Sequence, residues 1–250
     1  MKLGLKKRGM RKIPLPVEER GNKERGIAMN ELDRYERQER IWGKGGQEKL
    51  ARATVTIVGD GNCAKYTAMP LVALGIGHVR ILGAGEPRDK EWFMDVPLQG
   101  EPRVQGYERT LQLLNPKVTT IGIPIDLETR LGLDFLHGST VMVDATNNPR
   151  SKALVLEYAQ QHKVPVLTSG VAESYAKLMM WHPGDQVEAA HLMPNFAGKE
   201  QNPLIALLWG GLMAEEVKKF VLGGAETLRR EAHYRQGDRS LLSKRDGLFN

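Results

Sequence analysis

Ala53-Thr54-Val55-Thr56-Ile57-Val58-Gly59-Asp60-Gly61-Asn62-Cys63-Ala64 is the stretch on which the fold turns. Its first half is a continuous β-branched run, the pattern of a strand buried on both faces of a parallel sheet. Its second half is a glycine loop that opens an apolar helical stretch running to Leu74 and stopping at Gly75. In such a strand–loop–helix unit Gly59 permits the tight turn and Gly61 lets the backbone approach phosphate oxygens. The small Ala64 allows the helix to pack closely on the strand, while Asp60 and Asn62 fill the intervening positions. The helix N-terminus supplies amide donors and a favourable dipole, so the unit is a candidate nucleotide cradle.

Working outward, the same rhythm continues. His78–Leu82 reads as a second strand, and Pro102–Leu114 as a helix with Val104, Tyr107, Leu111 and Leu114 on one face, stopped by Asn115-Pro116. Val118–Ile123, Thr140–Val143 and Val164–Leu167 read as further strands, with a helix over Ser151–Gln161. Alternating strands and helices predict an α/β fold, a Rossmann-like doubly wound and mostly parallel sheet. After Ser169-Gly170 the pattern changes. Ala176–His182 and Val187–Met193 flank Pro183-Gly184-Asp185 as an antiparallel hairpin, and Pro203–Leu222 forms a closing helix that ends at Gly223-Gly224.

Charge and composition bound the function. The net charge of +6 comes from the ends, since residues 1–32 hold nine Lys/Arg against four Glu and residues 226–250 hold six against four acids. The body between is close to neutral, which argues against a nucleic-acid binder. Residues 1–32 are expected to be a basic flexible extension, 33–225 a single domain and 226–250 a polar tail. Arg229, Arg230, Arg235 and Arg239, interleaved with Glu226, Glu231 and Asp238, suggest an exposed helix in that tail. No window is apolar enough for a membrane span. The single cysteine, Cys63, cannot form a thiolate zinc site, so no zinc is expected, and a reducing cytoplasm is the expected compartment. Cys63 itself reads as a small buried thiol. The six histidines show no ligand spacing, and no metal site is assigned.

A dinucleotide site places an acid about 20 residues past the glycines to accept from the ribose hydroxyls. Here the second strand ends in Gly83-Ala84-Gly85, with Glu86 one turn late. A nicotinamide-dependent oxidoreductase therefore has only the glycines in its favour.

Arg34-Tyr35-Glu36-Arg37-Gln38, then Gly46-Gln47-Glu48-Lys49-Leu50 before the glycine loop, resembles the opening of the ThiF/MoeB/HesA family and of ubiquitin-activating (E1) enzymes. Gly100-Glu101-Pro102-Arg103-Val104, Leu114-Asn115-Pro116, Val143-Asp144-Ala145-Thr146-Asn147-Asn148 and Pro203–Lys218 resemble later landmarks of that family, in the family's order. The resemblance covers residues 33–224. It implies activation of a carboxylate, often a ubiquitin-like protein's C-terminus, as an acyl adenylate formed from ATP and magnesium.

Matched position by position, much of that machinery is altered. The ribose acid corresponds to Gly83 and its acidic neighbour to Gly85. The family's Ser-Asn-Leu-x-Arg-Gln stretch has no counterpart in Arg88–Gln99. The phosphate-binding Lys is Arg103, and the magnesium-binding Asp is Asn147, an amide without the charge a hard cation prefers. Asp144 and Thr146 keep their places beside it. Arg37 matches an arginine that reaches across a dimer interface to the partner's triphosphate, a role suited to a permanent charge on a planar fork. These residues lead to a weak or lost ATP site that holds magnesium poorly, in a non-catalytic subunit of a homodimer or of a heterodimer with an E1-like partner. An active adenylyltransferase acting on a ubiquitin-like protein or small carboxylate is the alternative, with Asp60, Glu86 or Asp95 replacing the lost acids.

Overall fold

The computed structural model describes residues 34–86, 100–173, 175–185 and 202–224, and the backbone of 231–235 and 240–243. The chain divides into two units, Met1–Arg34 and Tyr35–Asn250, and every element below belongs to the second. The expected extension over 1–32 lies outside the described residues, as does the Val187–Met193 arm of the expected hairpin.

Five strands, β1 (Thr54–Val58), β2 (His78–Leu82), β3 (Thr119–Ile123), β4 (Val141–Asp144) and β5 (Val166–Val171), pair in parallel in the order β3-β2-β1-β4-β5. The order reverses direction between β1 and β4, so the crevice of a doubly wound sheet opens above the ends of these two strands. β6 (Tyr175–Trp181), β7 (Glu231–Arg235) and β8 (Ser240–Ser243) extend the sheet in antiparallel fashion beyond β5. Where β5 passes to β6, Ala172 N–H donates to Tyr175 O. β6 is thus the expected first hairpin arm, but among the described residues its partners are β5 and β7.

Glu231–Arg235, expected in an exposed helix, is a strand instead. Its register against Tyr175–Met179 gives the backbone a ladder that local charge spacing cannot reveal, and sheet pairing overrides the weak helical signal.

Helices α1 (Glu36–Arg52), α2 (Asn62–Leu74), α3 (Arg103–Leu114), α4 (Pro149–His162) and α5 (Pro203–Leu222) cover the sheet, with a 3-10 turn at Arg130–Leu136. α1 is broken at Gly43, whose φ of 74° and ψ of 166° are not helical. α4 and α5 begin alike. Asn148 and Asn202 accept from the amides two and three residues on, and a proline fills the first helical position. The strands alternate their faces. Val55, Ile57, Val141 and Val143 join α2, α3 and α5 in one core, while Val58, Met142 and Val166 join α4 in the other.

α5 lies directly on α2. A Cβ on Gly210 would stand 2.6 Å from Tyr66 C and Cβ, so only glycine permits this approach. The inward face of α5 is Ile205, Ala206, Trp209, Met213, Ala214 and Val217. Leu212 packs partly against that core, whereas Leu204, Leu207 and Leu208 are exposed.

Candidate nucleotide site

β1 ends at Val58 and the chain turns at Gly59 with φ 115°, in the left-handed region that favours glycine. A Cβ there would stand 3.0 Å from Ala145 C and 3.2 Å from Thr146 Cγ2, so the glycine loop lies against the end of β4. Gly61 is the N-cap of α2, and among the described residues no side chain caps that terminus. Its first amides therefore have no side-chain acceptor among the described residues, the condition that suits an anion, and the buried Ala64 seats the helix on the strands. Asn62 begins the helix.

Asp60 reaches sideways across the loop. Its Oδ2 accepts from the amide of Gly85 at 2.6 Å, and its Oδ1 accepts from Arg103 Nη1 at 3.1 Å. Arg103, at the start of α3, also donates from Nη1 to Asp60 O and from Nη2 to Glu86 O, and Tyr107 Oη donates to Asp60 O at 2.8 Å. Side-chain exposures of 9% for Arg103 and 18% for Asp60 make this a largely shielded ion pair. The cation matched to a phosphate-binding lysine is therefore turned into the loop's own carboxylate and carbonyls.

Below the loop lies a second pair that sequence reasoning missed. Asp144 Oδ2 receives Lys152 Nζ at 2.5 Å and Thr168 Oγ1 at 2.6 Å. Oδ1 receives Thr146 N at 3.1 Å and Thr146 Oγ1 at 2.8 Å. Lys152 Nζ also donates to Ser169 O at 2.6 Å, and the Asp144 and Lys152 side chains are each 2% exposed. A signal was present: Lys152 shares the buried stripe of α4 with Val155, Leu156 and Ala159. A lysine at a core position requires a counter-ion.

Asn147 Nδ2 donates to Val171 O at 3.2 Å. A magnesium ion needs several hard oxygen donors. Asp144 is filled by Lys152, Thr168 and Thr146, and Asn147 is directed by its amide nitrogen to a carbonyl, so these residues do not fit the ion. Among the described residues no three His, Cys, Asp or Glu side chains cluster as a metal site.

Cys63, at the first turn of α2, is buried against Ser169 Oγ at 3.7 Å and Met213 Sδ at 3.3 Å. Burial pushes its thiol from 9.0 up to about 11, so it is protonated and unreactive at neutral pH.

Asp60, Arg103 and the glycine loop are thus brought together, and Thr146, Asn147 and Asp144 adjoin them at the end of β4. Arg37 is not part of this group. It lies on the exposed side of α1 and among the described residues forms no hydrogen bond or ion pair with the loop. Asp95 lies outside the described residues.

A family model described as the ThiF family matches residues 93–241. A sulfur carrier protein adenylyltransferase of Thermus thermophilus is 30% identical over 158 residues, 61% of this chain and 58% of the relative. A sulfur carrier protein ThiS adenylyltransferase of Bacillus subtilis is 27% identical, covering 60% of this chain and 47% of its own length. Protein HesA of Leptolyngbya boryana is 28% identical, over 63% and 59%. The chain therefore spans roughly half to three-fifths of these relatives. Among solved structures, E. coli MccB with ATP superposes with a TM-score of 0.73 at 18% identity, covering 86% of this chain and 72% of that one, a likeness of fold. No helix among the described residues is long and apolar enough to cross a membrane.

Proposed function

This chain belongs to the ThiF family, and from that premise we propose that it is an adenylation-fold subunit that no longer forms an acyl adenylate alone. It lends Arg37 and a surface to the site of an E1-like partner, or pairs with a second copy as a scaffold without catalysis. The observation that carries this reading is the Asp60–Arg103 pair: the cation that would meet a triphosphate is held at 3.1 Å by the loop's own carboxylate. The poor fit of Asn147 and Asp144 to magnesium supports it. So does the position of Arg37, exposed one helical turn before Ile41, an apolar side chain 78% exposed on α1. Exposed Leu204, Leu207 and Leu208 on α5 add apolar surface of the kind a subunit interface covers. The compartment we assign is the cytoplasm, and neither zinc nor nucleic acid enters the reading.

An active adenylyltransferase, taking ATP and a ubiquitin-like tail or a small carboxylate, is the second reading. It is favoured by the uncapped N-terminus of α2, which suits a phosphate, and by relatives named adenylyltransferases. Reconstitution separates the two. Added to an E1-like partner, the full chain raises the partner's adenylation rate under the first reading, and Arg37→Ala removes that rise. Adenylation by this chain alone, indifferent to Arg37→Ala in an added inactive copy, supports the second.

A further inference from the structure

Both positions matched to the family's acids are glycine, yet a carboxylate stands where their side chains would begin. A Cβ on Gly83 would lie 2.5 Å from Asp60 Cβ, and one on Gly85 would overlap Asp60 Oδ2. The two glycines and the aspartate therefore depend on one another. Asp60 can lie over the end of β2 only because residues 83 and 85 carry no side chain.

Its orientation is fixed by Arg103 Nη1 on Oδ1 and the Gly85 amide on Oδ2. A carboxylate oxygen has two acceptor positions, so these bonds leave one on each oxygen, and the side chain is still 18% exposed. The crevice at the switch between β1 and β4 is where an open α/β sheet takes its ligand, and an acid at the end of the second strand is the group that accepts from ribose.

We propose that Asp60 is a sugar acid moved from the end of β2 into the glycine loop. It accepts from the vicinal hydroxyls of a ribonucleoside or ribonucleoside monophosphate, which the pocket holds without magnesium and without turnover. The ligand's phosphate lies at the uncapped N-terminus of α2. Arg103 is a positioning residue that orients Asp60 and neutralises its charge. This rests on the reading that the pocket has lost its magnesium donors while keeping its nucleotide position.

The test is calorimetric titration of the full chain with AMP and with 2′,3′-dideoxy-AMP, both without magnesium. AMP is expected to bind, and the dideoxy analogue to bind about tenfold or more weakly, the scale of a hydrogen bond to a charged group. Asp60→Ala is expected to abolish that difference. Gly83→Ala, which keeps the acid but crowds it, is expected to reduce AMP affinity, and a thermal melt of each variant separates loss of the ligand from loss of the fold. Absence of AMP binding, or equal binding of both probes, overturns the inference. Adenylation by the isolated chain overturns the functional reading instead, and leaves the diol comparison standing.

Discussion

Lys152 Nζ and Asp144 Oδ2 lie 2.5 Å apart, each side chain only 2% exposed, where the end of β4 meets the first turn of α4. A pair this deeply buried adds little net stability over an apolar replacement, but removing one partner strands the other charge. Lys152→Met is expected to destabilise the protein by about 3–5 kcal/mol. The double variant Lys152→Met with Asp144→Asn is expected to recover part of that loss. Urea unfolding of the wild type, the two single variants and the double variant measures it, and additive losses would mean that the two residues do not act as a pair.

Cys63 contributes to the loss of stability in alkali. Its folded pKa of about 11 lies above the ordinary 9.0. The folded state therefore holds the proton more tightly, and this contribution is complete below pH 9 and lost as pH rises through 11. The stability difference between the wild type and Cys63→Ala is expected to shrink by about 2–3 kcal/mol across that window. Chemical unfolding at pH 8 and pH 11 measures it, and an unchanged difference contradicts the burial of the thiol.

Gly210→Ala is expected to destabilise by about 1–3 kcal/mol despite the higher helix propensity of alanine, because the added methyl meets the backbone of Tyr66. Gly211→Ala is the control, since nothing lies within 4 Å of a Cβ there, and it is expected to be neutral or stabilising. Thermal melts of the two variants settle the comparison.

The glycine loop, the first five strands and the closing helix were legible because each is written locally, in β-branched runs, a glycine turn and paired Asn-Pro and Gly signals, whereas the order of the strands in the sheet follows from their pairing. Pro203–Leu222 has the bounds its sequence predicts. The strand at Glu231–Arg235 was not legible, because its cause is a partner more than 50 residues away in β6. The same limit applied at the site. Local sequence names Asp60 and Arg103 as separate candidates, but only the fold makes Asp60 fill the space above Gly83 and Gly85. Lys152 could have been found from its place on the buried stripe of α4, and its counter-ion Asp144 was already in view.

Asn147→Asp restores the charge expected of a magnesium ligand, yet the carboxylate would face Val171 O, which now accepts from Nδ2 at 3.2 Å. It is expected to cost about 1–3 kcal/mol of stability and to confer no magnesium dependence on nucleotide binding. Melting curves with and without magnesium check both parts. A magnesium-dependent rise in melting temperature with ATP would show that the single charge was the missing piece.

The subunit reading stands or falls on catalysis by the chain alone, and ATP–pyrophosphate exchange with magnesium reads it directly. With Arg103 committed to Asp60 and the donors at the end of β4 spoken for, the purified protein is expected to exchange no label above a protein-free blank, whatever carboxylate is supplied. Exchange that scales with protein concentration and vanishes in Arg103→Ala would contradict it.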